Sequence, residues 1–132
     1  MEKEILTLLE LASSASHTAK LLIKSEMALN DGEVDTCQKL TSEAAATMGV
    51  LVKDMFEETV EMFNLSVEDC VDYDLPCALE LANQLSEIAY NANTLSTMLM
   101  ENQPDNIKKI VYKTLSKHME TATEIYNALF NN

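Results

Sequence analysis

Apolar residues recur every three or four positions along most of the chain, the spacing that places them on one face of an α-helix. The pattern stops at Asn30-Asp31-Gly32, between residues 64 and 74, and at Asn102-Gln103-Pro104-Asp105, where the residue types are those of turns and helix ends. The sequence therefore predicts four long helices, over about residues 4–30, 34–64, 75–101 and 105–130, with one or two further helical turns over 67–73.

Each predicted helix has roughly 27 to 32 residues, which makes rods of about 40 to 48 Å. The connections are short, and short connections make successive helices antiparallel. The chain has only two glycines and two prolines, too few for the turns of an all-β or Rossmann-like fold. We therefore predict an all-α fold, an antiparallel up-down four-helix bundle that forms a single domain over residues 1–132.

The apolar stripes predict which residues face the core. In the first helix the predicted inward positions are Ile5, Leu8, Leu9, Ala12, Ala15, Ser16, Ala19, Leu22, Ile23 and Met27. In the second helix the predicted inward positions are Cys37, Leu40, Ala44, Met48, Leu51, Met55, Thr59 and Met62. Beside this stripe the helix carries a second apolar row, which is formed by Ala45, Val52, Phe56, Val60 and Phe63. A face this wide suits a partner helix, and deep burial between the first and third helices is the alternative explanation.

The charge of the chain limits its partners. Asp and Glu number 22, the nine basic residues are all lysine, and the formal net charge is −13. Since a nucleic-acid-binding protein needs a basic surface, nucleic acid is not an expected partner. No stretch reaches the roughly 20 apolar residues of a membrane span, so we expect no membrane insertion. Three cysteines without a Cys-x-x-Cys pair, Cys37, Cys70 and Cys77, fit reduced thiols and a cytoplasmic location.

Residue patterns of known catalytic sites are missing from the sequence, which has neither a glycine-rich phosphate loop nor a Gly-x-Ser-x-Gly motif. We therefore expect no enzymatic activity. Two ionisable residues, Glu26 and His118, fall on predicted inward stripes, where a charged group is costly unless it has a partner. For His118, the predicted hydrogen-bond partners are Ser13 and Ser16 of the first helix.

Carboxylates are concentrated between residues 54 and 80, where nine of them stand without a lysine or arginine. Asp54, Glu58 and Glu61, or alternatively Glu57 and Glu61, share one helical face, and hard cations bind oxygen ligands of this kind. The Glu-x-x-His pairs of di-iron bundles do not occur in the sequence. A divalent or ferric metal is therefore one hypothesis, and a solvated acidic surface without a cofactor is the favoured one.

The segment Ser16-His17-Thr18-Ala19-Lys20-Leu21 resembles the phosphorylation motif of histidine phosphotransfer domains, which are four-helix bundles of about this size. In that family an exposed helical histidine is phosphorylated and a lysine stands three residues further on, the positions of His17 and Lys20 here. The next position is small in the family and is Leu21 in this chain, and the family's histidine belongs to an inner helix rather than the first. The resemblance implies phosphotransfer as an alternative function.

A second resemblance covers most of the chain. Three stretches are similar to a PhoU-type repeat: Ala28-Leu29-Asn30-Asp31-Gly32, then Leu40-Thr41-Ser42-Glu43, then Leu75-Pro76 leading into residues 79–92. Members of that family are built from three-helix repeats and regulate phosphate transport and signalling through partner proteins. The resemblance therefore implies a helical regulatory protein rather than an enzyme, in which one repeat is followed by an extra helix.

The PhoU-type repeats also bind iron or zinc clusters through Glu/Asp-x-x-x-Asp motifs on two helices. By resemblance, the first motif falls at Glu43 and Thr47, and the second at Ser86 and Tyr90. Glu43 is the one carboxylate among these four positions. A register one residue further on places Glu87 and Asn91 at the second motif, so the resemblance nominates Glu43 and Glu87 as metal ligands.

The leading hypothesis is a non-enzymatic regulatory or adaptor protein, a PhoU-like bundle linked to phosphate transport or signalling. Its expected partner is another protein or a second copy of the chain, since long amphipathic helices without a catalytic residue set are suited to binding. Phosphotransfer through His17 and metal binding by the acidic residues are the two alternatives.

Overall fold

The computed structural model describes residues 2–63 and 78–130. Its helices are α1 (Glu2–Asn30), α2 (Val34–Val50), a π-helical segment (Leu51–Phe56), α3 (Glu57–Phe63), α4 (Ala78–Met100) and α5 (Asp105–Phe130). The described residues contain no β-strand, so the predicted all-α class is confirmed for them. The predicted turns over 67–73 and the predicted start of the third helix at 75 lie outside the described residues.

The predicted second helix differs from expectation because α2 and α3 are joined through the π segment. A π turn closes its hydrogen bonds from residue i to i+5 and so holds more residues than an α turn. Within the segment Phe56, from the second apolar row, is buried, whereas Met55, an inward position of the predicted α-helical stripe, is half-buried. Beyond the segment Thr59 is buried, as an inward position on the original stripe should be.

Helix α1 packs between α2 and α4, whereas α5 has its main contact with α4. Helix α1 packs most extensively on α4 and next on α2, while α4 also packs on α5, and α2 touches α5 at a few residues. The predicted third helix corresponds to α4. In the described residues α1 packs on both α2 and α4, so burial of α2 between α1 and α4 does not explain the wide apolar face of the second helix. In the second apolar row, Phe56 is buried, and Ala45 and Val52 are half-buried.

The buried faces of α1 and α4 are rich in alanine. On α1 these residues include Ala12, Ala15 and Ala19, and on α4 they are Ala82, Ala89 and Ala92. Leucines and one isoleucine complete the buried faces, and those with no exposed area are Leu8, Leu11, Leu22, Leu81, Leu85, Ile88 and Leu95. Small side chains allow two helices to approach closely, and each fully buried leucine contributes about 1.5 to 3 kcal/mol.

The inward stripe predicted for α1 is wrong at Leu9, which is 40% exposed, and at its carboxyl end. Ile23 and Met27 are exposed, with 39% and 60% of their surface accessible, whereas Ser25 and Ala28 are buried. The side chain of Ser25 is satisfied there by groups of α2, because its Oγ donates to the carbonyl oxygen of Cys37 over 3.2 Å. Apolar spacing alone cannot predict that small side chains take the buried positions beside a second helix.

Two helix ends share one hydrogen-bond pattern. After α1, the Glu33 amide donates to the Ala28 carbonyl over 2.8 Å, and Gly32, with φ of +77°, is the left-handed residue. After α4, the Gln103 amide donates to the Met98 carbonyl over 3.0 Å, and Asn102 has φ of +55°. Glycine and asparagine are the residues that adopt this conformation most readily. Both turns were therefore predictable from the sequence.

None of the helices that the model describes has the length and apolar character required to cross a membrane.

Candidate functional site

A polar network links the first two turns of α4 to the middle of α5. Nδ1 of His118 lies 2.6 Å from Oε1 of Gln84, whose Nε2 donates in turn to Oε1 of Glu80 over 3.2 Å. Because Oε1 of this amide only accepts, the assigned tautomer of His118 carries its proton on Nδ1. Glu80 and Gln84 stand one helical turn apart, which places both side chains on one face of α4.

Burial of His118 lowers the pKa of its imidazole, because the charged form loses hydration. The negative charge of Glu87 raises the pKa and the positive charge of Lys117 lowers it, but burial has the largest effect. The half-buried histidine is therefore held in its neutral form. The predicted partners on the first helix are wrong: Ser13 is exposed and Ser16 half-buried on α1, while α5 packs on α4.

Two grooves border the π segment, one on each side. The groove on the α1 side has a volume of about 360 Å³ and is lined by Ser14, Ala46, Thr47, Val50, Leu51 and Met55. The groove on the α5 side, called the acidic groove from here on, has a volume of about 340 Å³ and is lined by Val52, Phe56, Glu57, Glu61 and Thr123. The π segment is thus the part of the second helix that meets open space on both flanks.

The acidic groove combines an apolar floor with charged walls. Val52 and Phe56 are half-buried and buried, respectively, whereas Glu57 and Glu61 are exposed one helical turn apart. Thr123 closes the α5 side, and its hydroxyl donates to the Met119 carbonyl over 2.8 Å, so the methyl group remains for apolar contact. Such a surface can take an apolar side chain and pair with positive charge beside it.

The carboxylates proposed as metal ligands are all on the surface. Asp54 lies in the π segment, Glu58 and Glu61 in α3, Glu43 in α2 and Glu87 in α4, and each is exposed. Within residues 2–63 and 78–130, no three His, Cys, Asp or Glu side chains are grouped so that they could hold a metal ion. Glu43 and Glu87 are thus not brought into a common cluster with other such ligands in the described parts of the chain.

His17 and Lys20 are exposed on α1, as a phosphotransfer histidine and its lysine would be. Leu21 at the following position is buried, so its side chain is turned into the protein and not over the imidazole. Glu26, predicted on the inward stripe, is half-buried near the end of the same helix.

A polar cluster between α1 and α2 was not predicted. Ser25 Oγ lies 2.5 Å from Thr41 Oγ1 and 3.3 Å from Cys37 Sγ. Cys37 is a half-buried free thiol, and the other two cysteines lie outside the described residues. The sequence could have indicated this cluster, because Ser25 precedes the turn at Gly32 by about as many residues as Cys37 and Thr41 follow it. Two helices joined by so short a turn bring such positions together.

The chain matches no family model, and comparisons with curated protein sequences and with solved structures give no significant match. The resemblances to PhoU-type repeats and to histidine phosphotransfer domains therefore stay predictions that rest on the residues quoted for them. A functional proposal therefore depends on the chemistry of the acidic groove and of the exposed helix faces.

Proposed function

We propose that the chain is a non-enzymatic regulatory or adaptor protein that binds a partner protein through the acidic groove. The observation that carries the proposal is the π segment, whose apolar residues Val52 and Phe56 face a groove walled by Glu57 and Glu61. π turns in helices are frequent at functional sites, where they open the regular packing. Val52 and Phe56 are also two members of the second apolar row, which the sequence analysis interprets as a contact surface for a partner helix.

The partner segment that fits the acidic groove is a basic amphipathic helix. Between residues 51 and 63 the exposed carboxylates are Asp54, Glu57, Glu58 and Glu61, and Lys53 is the one basic residue. With a net charge of −13, the chain attracts a basic partner and speeds the encounter. Apolar side chains of such a helix would pack on Val52 and Phe56, while its lysines or arginines would pair with Glu57 and Glu61.

The PhoU-like architecture is part of the proposal. Its support is the pair of short connections, each of which joins helices in contact: Ser25 meets Thr41 across the first and Gln84 meets His118 across the second. We propose that each of these pairs is antiparallel and that the chain works as a PhoU-like regulator linked to phosphate transport or signalling. A second copy of the chain is the other partner that we propose.

Binding of a synthetic helical peptide of leucine and lysine, labelled for fluorescence anisotropy, tests the groove with the full chain. We expect the double variant Glu57→Gln/Glu61→Gln to weaken binding on the order of tenfold, and added salt to weaken binding to the unchanged protein. The matched control is Glu33→Gln/Glu43→Gln, which removes the same charge from exposed positions away from the groove. Equal weakening by both double variants would reduce the effect to net charge and overturn the proposal.

Phosphotransfer through His17 is the second candidate, because its imidazole is exposed and Leu21 does not cover it. Incubation with acetyl phosphate should then give acid-labile phosphate on the unchanged protein and none on His17→Gln. A wild-type protein that takes up no phosphate removes this candidate, whereas the acidic-groove proposal is unaffected by that result.

A further inference from the structure

Two outward-facing rows of residues run along α4 and α5, away from the acidic groove. The row on α4 is Glu87, Tyr90, Thr94, Thr97 and Glu101, and the row on α5 is Ile107, Ile110, Thr114 and Lys117. Spacings of three and four residues alternate in both rows, as they do in the contact seam of a coiled coil. The two rows border one surface, since residues of both line a groove of about 430 Å³.

The middle of this surface is apolar and open to solvent. Tyr90 and Ile110 are each 69% exposed, more than the other large apolar side chains of the described residues, and Ile107 is 40% exposed. Exposed tyrosine and isoleucine side by side on neighbouring helices are typical of a contact with another protein.

The charges on the two sides of this surface are opposite. Glu87 and Glu101 stand at the ends of the α4 row, whereas α5 carries Lys113 and Lys117 beside Ile110. These two lysines, called the lysine row from here on, lie beside an exposed isoleucine in a chain with 22 acidic and nine basic residues. The surface is therefore acidic along α4 and basic along α5.

With α4 and α5 antiparallel, as proposed above, the contact of Gln84 with His118 sets the register of the two helices. Tyr90 stands six residues after Gln84, and Tyr112 six residues before His118, so Tyr90 and Ile110 lie within about one helical turn of the same height. By the same count, Glu87 lies at the height of Leu115, between Lys113 and Lys117.

We infer that the α4–α5 surface binds a second copy of this chain. A two-fold axis parallel to the two helices sets α4 of one copy against α5 of the other at equal height. Tyr90 of each copy then packs on Ile110 of its partner, and Glu87 faces Lys117 across the interface. A partner that is basic throughout would be repelled by the lysine row, whereas a second copy offers complementary charge on both sides.

Sedimentation velocity of the full chain between about 1 and 100 µM tests the inference, and we expect a dimer. Ile110→Glu should raise the dissociation constant of the dimer by on the order of tenfold or more, because the charge falls at the centre of the apolar contact. Met27→Glu is the matched control: Met27 is 60% exposed on α1, and this variant should dimerise as the unchanged protein does.

Charge exchange gives a second readout that does not depend on the apolar contact. Glu87→Lys should weaken the dimer, and adding Lys117→Glu in the same chain should restore it. A monomer at every concentration overturns the inference, as does a dimer that is weakened by Met27→Glu and not by Ile110→Glu. Failure of the double variant to recover would place the contact elsewhere. These outcomes are independent of the peptide test on Glu57 and Glu61.

Discussion

Gly49 of α2 and Tyr126 of α5 meet where these two helices approach each other: a β-carbon on Gly49 would stand 3.2 Å from Oη of Tyr126. That distance is shorter than ordinary van der Waals contact, so any side chain here displaces the tyrosine hydroxyl. Glycine inside a helix costs about 1 kcal/mol relative to alanine. Glycine at this position thus avoids a close contact between the two helices.

The first prediction follows from this contact. Gly49→Ala should stabilise the protein by about 1 kcal/mol in a Tyr126→Phe background, where the hydroxyl is absent, and by less in the unchanged protein. Urea unfolding of the four proteins of this cycle gives the coupling free energy directly. Equal effects in both backgrounds would mean that Tyr126 moves away at no cost.

The second prediction concerns pH. Burial lowers the pKa of His118 in the folded protein, so between this pKa and the unfolded value of about 6.5 the unfolded chain binds more protons. The free energy of unfolding should therefore fall as the pH is lowered through about 6.5, and level off with respect to this group below the folded pKa.

His118→Gln should flatten this part of the pH dependence, because the titrating group is gone. Chemical denaturation at pH 7.5, 6.5 and 5.5 measures the effect, above the range in which most carboxylates titrate. His17→Gln is the matched control, since His17 is exposed and has no comparable burial. A flat profile in the unchanged protein would show that the imidazole is not held neutral by the fold.

The third prediction tests the polar cluster between α1 and α2. Ser25→Ala removes the buried hydroxyl that contacts Thr41 and the Cys37 carbonyl, and should lower the free energy of unfolding by about 1 to 3 kcal/mol. Ser13→Ala, at an exposed position of the same helix, should leave stability within about 0.5 kcal/mol. Similar values for both variants would assign the cluster no role in stability.

The fourth prediction concerns metal. The described carboxylates do not form a cluster of three or more potential ligands, so we expect less than one equivalent of iron, zinc or manganese in protein purified without a chelator. Elemental analysis coupled to molar mass measures the ratio. One metal per chain would contradict this expectation and favour the PhoU-type metal motif; the variant Glu43→Gln/Glu87→Gln would then test the two nominated ligands.

The turns were the most predictable part of the fold. Gly32 and Asn102 are residue types that adopt positive φ readily, and each ends a helix close to where the spacing of apolar residues stops. The π segment could not be predicted, because its sequence continues the apolar pattern of α2.

The candidate sites were harder to predict than the helices. His118 was identified from its position on an apolar stripe, yet its partner Gln84 depends on which helices become neighbours, and spacing within one helix does not contain that information. The same limit explains Ser25: the side chain is polar, and only the approach of α2 makes its burial favourable. Thr123 lines the acidic groove because α5 packs near the second helix, and the sequence of α5 alone does not predict this contact.

The alanine-rich faces of α1 and α4 also bear on the order in which the chain folds. The pairs α1–α2 and α4–α5 are each closed by a connection of three or four residues, but 47 residues stand between Asn30 and Ala78. Closing a short loop loses less entropy than closing a long one, so we expect the two pairs to form early and the α1–α4 interface to form late. A bulky residue at Ala15 or Ala92 should accordingly speed unfolding, measured by stopped flow, while the folding rate changes little.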